Sequence, residues 1–328
     1  MNFNITFDAS VNSNSAPPEF TSTVLAVANY YASMFTDNVT VNLAVGYGEV
    51  GGSAMPNGAL GASLSYLTST SYKSLVNALK ADMTSAADHG AVASLPSADP
   101  TGNGHYWVST AEGKALGLYS GTGLDGSIGF SSTAAFDYNT TDGGVTAGSY
   151  DFFGTVAHEF SEVMGRMLLV GSRISIFPHG YTPLDLFHFA SAGVRTFSGT
   201  KAGYFSIDGG KTPLETFNTN PSGDYGDWSS AKGLDAFNAF ATSGQPAPIS
   251  SADLTALDVI GWNLAGGGAG TTTTSGKVTS VQLAANTVES SGGSEHGRDA
   301  ADLQAMLGVG KGLFNPHLAS DLDFYYGA

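Results

Sequence analysis

The N-terminal part of the chain carries two kinds of hydrophobic pattern in turn. Apolar residues recur at helical spacing over 20–31 and again over 71–83, which predicts two helices. Between them, 39–48 alternates apolar and polar residues, which predicts a strand. Shorter apolar runs predict further strands at 4–7, 106–110, 115–119 and 128–132. This mixture of elements is typical of an α+β domain.

The strongest helical pattern begins after Asp151, a residue type that caps helix N-termini, and runs to about Met167. At about 100° per residue its apolar side chains form one stripe, as expected of a helix that packs on a core. The stripe consists of Phe153, Val156, Phe160, Val163, Met164 and Met167. His158 and Glu162 lie together on the opposite side, with Glu159 beside them. This polar side is therefore the main candidate site in the sequence.

His158, Glu159 and Glu162 follow the order that metalloproteases place on one helix: a ligand, a carboxylate, two spacers and a second ligand. Because residues four apart face one ion from adjacent turns, His158 and Glu162 are the expected ligands of a Zn²⁺ ion. Glu159 is the expected general base that takes a proton from the attacking water. The alternative is the solvated face of an amphipathic helix, since such a triplet also arises by chance.

After this helix the chain is rich in loops. Residues 170–262 contain many Gly, Asn, Asp and Pro residues, with a single helical pattern at 252–259. Long irregular segments of this kind often form functional loops. A second polar stretch near the C-terminus has helical spacing only at 299–307. The sequence predicts three parts, which are a domain over 1–265, a Gly- and Thr-rich linker over 266–276 and a tail over 277–328.

Charge and cysteine content narrow the classes of function. The chain has 12 Lys and Arg residues against 28 Asp and Glu residues, and the formal net charge of −16 disfavours nucleic acid and anionic lipid as partners. It has no cysteine, which excludes disulfides and Cys-ligated zinc. No apolar run reaches the roughly 18 residues of a membrane-spanning helix. We therefore expect a monomer that acts outside the cell on a protein or peptide, without inserting into a membrane.

The two ends of the chain bear on its route out of the cell. The start, MNFNITFDAS, lacks the basic and apolar regions of a secretory signal. The end, SDLDFYYGA, is acidic and then aromatic, and it resembles the uncleaved C-terminal export signal of one-step secretion systems in Gram-negative bacteria. We therefore expect secretion through a C-terminal signal, with an unstructured tail as the alternative.

Several blocks lie in a specific order along the chain: GYGEVGG, DGSIGFSS, YDFFGTVAHEFSEVMGR, YTPLDLFHFASAGVR, YFSIDGG, FNTNPSGDYGDW, DAFNAF and DLTALDVIGW. Together, over roughly residues 2–264, they resemble a group of bacterial secreted metalloproteases of the zincin class in which Glu replaces the second His of the zinc motif. The resemblance implies a zincin-like fold, with a twisted, mostly antiparallel sheet over an active-site helix. It also implies a zinc-dependent peptidase activity.

The third zinc ligand stays open in this interpretation. Zincins with three histidines place the third one ten residues after the first, but that position is Leu168 here. Asp185 ranks first among the candidates, because Asp is a known third ligand of zincins and because it lies in the block most typical of the group. His179 ranks second, since imidazole suits zinc. His188 ranks third, because the resemblance leads us to expect Arg at its position.

Other carboxylates suggest a second kind of metal site. Asp208, GDYGDW at 223–228 and Asp235 are candidate oxygen ligands for Ca²⁺. The missing twelve-residue calcium loop favours simple Asp- and Gly-rich turns instead. Two functions compete with a peptidase: a non-catalytic surface protein that keeps a structural metal on a zincin fold, and a calcium-dependent adhesion or carbohydrate-binding module built on residues 200–240.

Overall fold

Strands and helices alternate through the first half of the computed structural model, which describes residues 1–139, 144–174, 177–266, 278–283 and 305–307. The elements of this half are β1 (Asn2–Phe7), α1 (Ala9–Ser13), α2 (Pro18–Met34), β2 (Thr40–Tyr47), β3 (Glu49–Val50), β4 (Ser53–Ala54), β5 (Gly61–Ser71), α3 (Tyr72–Asp82), α4 (Ala86–Ala93), β6 (His105–Ser109), α5 (Thr110–Ala115) and β7 (Gly126–Phe130). The prediction of an α+β protein is confirmed.

The second half has one long helix followed by loops and very short strands, as the sequence predicts. Its elements are β8 (Phe136–Asp137), β9 (Tyr150–Asp151), α6 (Phe152–Val163), a 3-10 helix (Pro183–Phe187), β10 (His188–Ser191), β11 (Val194–Arg195), β12 (Tyr204–Phe205), β13 (Glu215–Thr216), α7 (Ser251–Val259), β14 (Val278–Leu283) and β15 (Ala305–Leu307). Four of the short strands form a small sheet in the order β11-β10-β12-β13.

The main sheet has the strand order β14-β1-β2-β7-β5-β15, and β6 also pairs with β5. β1 runs parallel to β14 and β2, and β2 runs parallel to β7. β5 runs antiparallel to β7, β6 and β15. The prediction of a mostly antiparallel main sheet is therefore wrong, because half of the pairings described within this sheet are parallel. The reason is the helix α2 between β1 and β2, since a helical crossover returns the chain to a neighbouring strand in the same direction.

The helix α6 lies in the middle of the protein, with both of its sides covered. Its apolar stripe packs on the sheet and on α2: the Phe160 ring centroid lies 5.2 Å from that of Phe3 and 6.3 Å from that of Tyr31. The Tyr31 hydroxyl donates to the Ala157 carbonyl at 2.9 Å. Trp262 Nε1 donates to the Met164 carbonyl at 2.7 Å, which satisfies one of the free carbonyls at the helix end.

Most predicted helices are confirmed, with shifted ends. The patterns over 20–31, 71–83 and 252–259 correspond to α2, α3 and α7. The helix α6 begins after Asp151 as predicted, and the Asp151 side chain accepts a hydrogen bond from Gly154 N at 3.2 Å. It ends at Val163 rather than near Met167, because Gly165 has a φ of 109° and turns the chain away.

Two predictions in the other segments are wrong. Residues 115–119 do not form a strand, because Ser109 and Glu112 form a capping box that begins α5 at Thr110. In the predicted helix over 299–307, the described residues 305–307 form β15 instead. The remainder of that segment, the predicted linker at 266–276 and most of the predicted tail lie outside the described residues.

Among the described residues, no helix combines the length and the hydrophobicity that a crossing of a lipid bilayer requires.

Candidate metal centre

Three buried side chains converge at the polar side of α6. His158 Nε2 lies 3.4 Å from Glu162 Oε1 and 3.3 Å from Asp227 Oδ1. Each of the three residues offers one ligand atom, and these three atoms all lie within 4.8 Å of one another. No other group of three or more His, Asp or Glu side chains comes together in this way in the described part of the chain. Two of its members, His158 and Glu162, are those that the sequence predicts.

Asp227 reaches the site from the long segment between β13 and α7. It precedes Trp228, whose ring stacks on Phe205 at a centroid distance of 5.8 Å and whose Nε1 donates to Asp253 Oδ1 at 2.7 Å. Asp253 also accepts from Ser250 N at 2.9 Å in the capping box of α7. The buried Trp228 therefore fixes the position of Asp227 relative to α6.

The imidazole of His158 is held in one orientation. Its Nδ1 lies 2.8 Å from the carbonyl oxygen of Ala236, which can only accept, so Nδ1 carries the hydrogen. Nε2 then faces the two carboxylates. This backbone contact resembles the second bond that metal-binding histidines commonly make, and it fixes the ring as a metal ligand requires.

The distances from His158 Nε2 to the two carboxylates suit a tetrahedral ion. N–H···O hydrogen bonds are commonest near 2.9–3.0 Å, whereas two ligands bound at about 2.0–2.1 Å in tetrahedral geometry lie about 3.3–3.4 Å apart. The observed separations from His158 Nε2 are 3.3 and 3.4 Å. His158 Nε2 and Asp227 Oδ2 have no hydrogen-bond partner among the described residues, although both are buried. The three residues therefore fit a divalent ion such as Zn²⁺.

The electrostatics of the group also suit a cation. Burial alone disfavours a charge on His158, but the Asp227 carboxylate outweighs it and holds the imidazole pKa well above its ordinary value. Burial likewise opposes a charge on Asp227, but His158 and Arg166 together lower the pKa of this carboxyl. Asp227 is therefore ionised, and a metal ion would compete with a proton for His158 Nε2.

Glu159 faces the strand β5. An added Cβ at Gly61 would lie 2.4 Å from Glu159 Oε1, so only glycine leaves room for this carboxylate. Two residues further along, Ser63 Oγ donates to Glu162 Oε2 at 2.6 Å. Because alternate residues of a strand share a face, one side of β5 contacts both glutamates of α6.

The three residues ranked as third ligand lie elsewhere. Asp185 is a buried cap: it accepts from Thr182 N at 2.7 Å, Leu169 N at 3.1 Å and Val170 N at 2.9 Å. His179 is exposed, and its Nδ1 lies 3.3 Å from the Gly171 carbonyl. His188 is buried against Phe217, and burial lowers its pKa to about 4. None of them belongs to the group around His158, whose third member is Asp227.

The carboxylates considered for calcium do not come together either. Asp208 closes a turn, in which its side chain accepts from Ser206 Oγ, Lys211 N and Thr212 N. Asp235 accepts from Phe237 N at 2.7 Å. Asp227, from the same GDYGDW block, joins the His158 group instead. The sequence marks this block as a possible source of metal ligands, but it does not connect the block to α6.

A cavity of about 650 Å³ lies at the start of β5. It is lined by Leu60, which directly precedes Gly61, and by Ser131 and Tyr150 among others. Space for a ligand therefore exists next to the segment that contacts Glu159.

No known family model, curated protein or solved structure matches the chain.

Proposed function

We propose that the protein is a secreted zinc-dependent peptidase, with His158, Glu162 and Asp227 as zinc ligands and Glu159 as the general base. The observation that carries the proposal is the spacing of the ligand atoms, 3.3 and 3.4 Å from His158 Nε2, on a helix where Glu159 directly follows the histidine. The protein's location outside the cell and its monomeric state are part of the proposal, and the net charge of −16 disfavours nucleic acid and anionic lipid as partners.

The proposed chemistry divides the work between the ion and the chain. Zinc, when bound, polarises the scissile carbonyl and lowers the pKa of a water molecule toward ~7. Glu159 takes the proton of that water at its carboxylate and passes it to the leaving amine. Gly61, which has no Cβ, leaves room for the Glu159 carboxylate on the side of β5. Ser63, which donates to Glu162 Oε2, keeps the second ligand oriented.

The cavity of about 650 Å³ lined by Leu60 begins directly before Gly61 of β5 and would take a substrate side chain. Because Gly61, Ala62 and Ser63 are themselves buried, a peptide would have to reach Glu159 from this cavity rather than along the strand.

The test of this proposal is the variant Glu159→Gln. We expect it to retain about one zinc per chain, because Glu159 is not a ligand, and to lose at least a hundredfold in the rate of cleavage of fluorescein-labelled casein. The matched control is Glu112→Gln. Burial raises the pKa of Glu112 well above its ordinary value, so the neutral amide resembles the acid already present. Undiminished casein cleavage by the Glu159→Gln variant would refute the proposed peptidase mechanism, in which Glu159 is the general base.

Burial of the whole group favours a second candidate, a structural metal centre without catalysis. His158, Glu159 and Asp227 are 0% exposed and Glu162 is 3% exposed. A catalytic zinc site keeps one position open, whereas a structural site is closed by protein. This candidate predicts that zinc raises the melting temperature strongly while the zinc-loaded wild-type protein leaves casein intact.

A further inference from the structure

A buried arginine contacts both carboxylates of the group. Arg166 Nη1 donates to Asp227 Oδ1 at 2.7 Å, and Nη2 lies 3.6 Å from Glu162 Oε1. The Arg166 side chain is fully buried. Its Cζ lies 4.3 Å from the centroid of the Phe237 ring, which adds a cation–π contact.

The end of α6 brings this side chain back to the site. Gly165, with its positive φ, turns the chain directly after the helix, so that the next residue lies beside the last helical turns. Arg166 Nε donates to Ser161 Oγ at 2.7 Å, and Ser161 Oγ donates to the His158 carbonyl at 2.5 Å. Arg166 Nη1 also donates to the Gly226 carbonyl at 3.1 Å. The guanidinium therefore joins α6 to the segment that carries Asp227.

The charge of the site explains what such an arginine would do. A divalent ion with two neutral histidines and one carboxylate forms a centre of net charge +1, which is the common peptidase arrangement. Replacing the second histidine by Glu162 brings two carboxylates to the ion and a net charge of zero. A neutral centre is a weaker Lewis acid. Arg166 returns the net charge to +1.

We propose that Arg166 is a positioning residue that offsets the charge of the second carboxylate and keeps the Glu162 and Asp227 carboxylates together when no ion is bound. The inference rests on the proposed zinc site. A carboxylate oxygen has two lone pairs, so the bond from Nη1 leaves Asp227 Oδ1 able to bind an ion as well. Without metal, the guanidinium lies against the Glu162 and Asp227 carboxylates and offsets part of their mutual repulsion, so that the group stays assembled.

The test measures zinc affinity by competition with a chromophoric chelator. Arg166→Met removes the positive charge with little change in volume, so we expect this variant to bind zinc roughly tenfold tighter or more than wild type. Its metal-free form should melt at a lower temperature than the metal-free wild-type protein. Arg166→Lys keeps the positive charge but loses the planar guanidinium with its several N–H donors. We expect its zinc affinity to lie within about threefold of the wild-type value. Equal or weaker zinc binding by a folded Arg166→Met variant would overturn the proposal.

A double variant keeps the test decisive if Arg166→Met does not fold without metal. Glu162→His raises the net charge of the centre by one and should weaken zinc binding. The double variant Glu162→His/Arg166→Met restores the wild-type net charge, and its zinc affinity should lie within about tenfold of wild type. A double variant that binds zinc no tighter than Glu162→His alone would also overturn the role of Arg166. If the wild-type protein itself binds no zinc, the proposed function fails before this inference is reached.

Discussion

Asp185 and Asp227 are both fully buried carboxylates, but their oxygens meet different partners. Asp185 accepts from three backbone N–H groups and the Thr182 hydroxyl, so its lone pairs are already used by the protein. Asp227 faces Arg166 and His158, and its Oδ2 has no hydrogen-bond partner among the described residues. A carboxylate satisfied by N–H donors serves the fold, whereas one that faces cationic groups is suited to an ion.

This difference predicts opposite behaviour of two isosteric variants. Asp227→Asn should reduce the zinc content from about one per chain to near zero, because a neutral amide is a poor zinc ligand. Asp185→Asn should keep its zinc, but the new amide group must face at least one of the N–H donors, at about 1–3 kcal/mol of lost stability. Elemental analysis and thermal unfolding separate the two effects. A zinc-free Asp185→Asn protein beside a zinc-bound Asp227→Asn protein would reverse our ligand assignment.

At the scale of elements, the site depends on the contact between β5 and α6. The strand presents Gly61, Ser63 and Ser65 on one face, and Ser65 Oγ lies 3.5 Å from the Glu162 carbonyl. Small residues at alternate positions let the strand approach the polar side of the helix closely. The polar side of α6 is therefore covered by an equally polar strand rather than by solvent.

Gly61→Ala tests this contact. The new Cβ would lie 2.4 Å from Glu159 Oε1, so the carboxylate must move, and a displacement of about 1 Å can lower kcat/KM about a hundredfold. The zinc content should not change, because Gly61 does not contact the ligands. Gly123→Ala is the matched control, since no heavy atom lies within 4 Å of its added Cβ. Wild-type kcat/KM in Gly61→Ala would show that Glu159 is not held from β5.

The local parts of this arrangement can be predicted from the sequence. Helical spacing alone brings His158 and Glu162 to one side of α6, and Asp151 marks the start of the helix. The strand β5 is not among the predicted strands. Polar and apolar residues alternate in GASLSYLTSTS as they do in a strand, but its many Ser and Thr residues are also typical of loops. Strand direction is also not a local property, since it follows from the helix that connects two strands.

The third ligand cannot be predicted in the same way. Asp227 becomes a neighbour of His158 only after Trp228 is buried against Phe205 and bonded to Asp253. Asp185 lies closer in sequence and in a more typical block, but its bonds to Leu169 and Val170 are visible only in the fold. Long-range ligands therefore require the tertiary structure.

At the scale of the whole molecule, some of the excess negative charge is concentrated where distant segments meet. Asn263 N donates to Asp37 Oδ2 at 2.9 Å, and Asn263 Nδ2 donates to Asp82 Oδ1 at 2.8 Å. Asp258 Oδ2 accepts from Ser85 Oγ at 2.6 Å. The end of α7 is thereby joined to α2 and α3 by carboxylates that repel one another.

These carboxylates should make the protein more stable in mild acid. Burial raises the pKa of Asp82 to about 7, opposed by the hydrogen bond from Asn263 and aided by the neighbouring carboxylates. The folded state then binds this proton more tightly than the unfolded chain, whose Asp pKa is about 3.9, so stability falls as pH rises between about 4 and 7. We expect chelator-treated protein to melt at a higher temperature near pH 5 than near pH 8. Asp82→Asn should reduce this difference by raising the melting temperature near pH 8.

Asp99→Asn is the control, and it should change stability in the opposite direction. Burial opposes the charge of the Asp99 carboxylate, but hydrogen bonds from Thr101 and Gly104 lower the Asp99 pKa. The Asp99→Asn variant should therefore lose stability near pH 8. An Asp82→Asn protein with the pH dependence of wild type would show that these carboxylates do not couple folding to protonation.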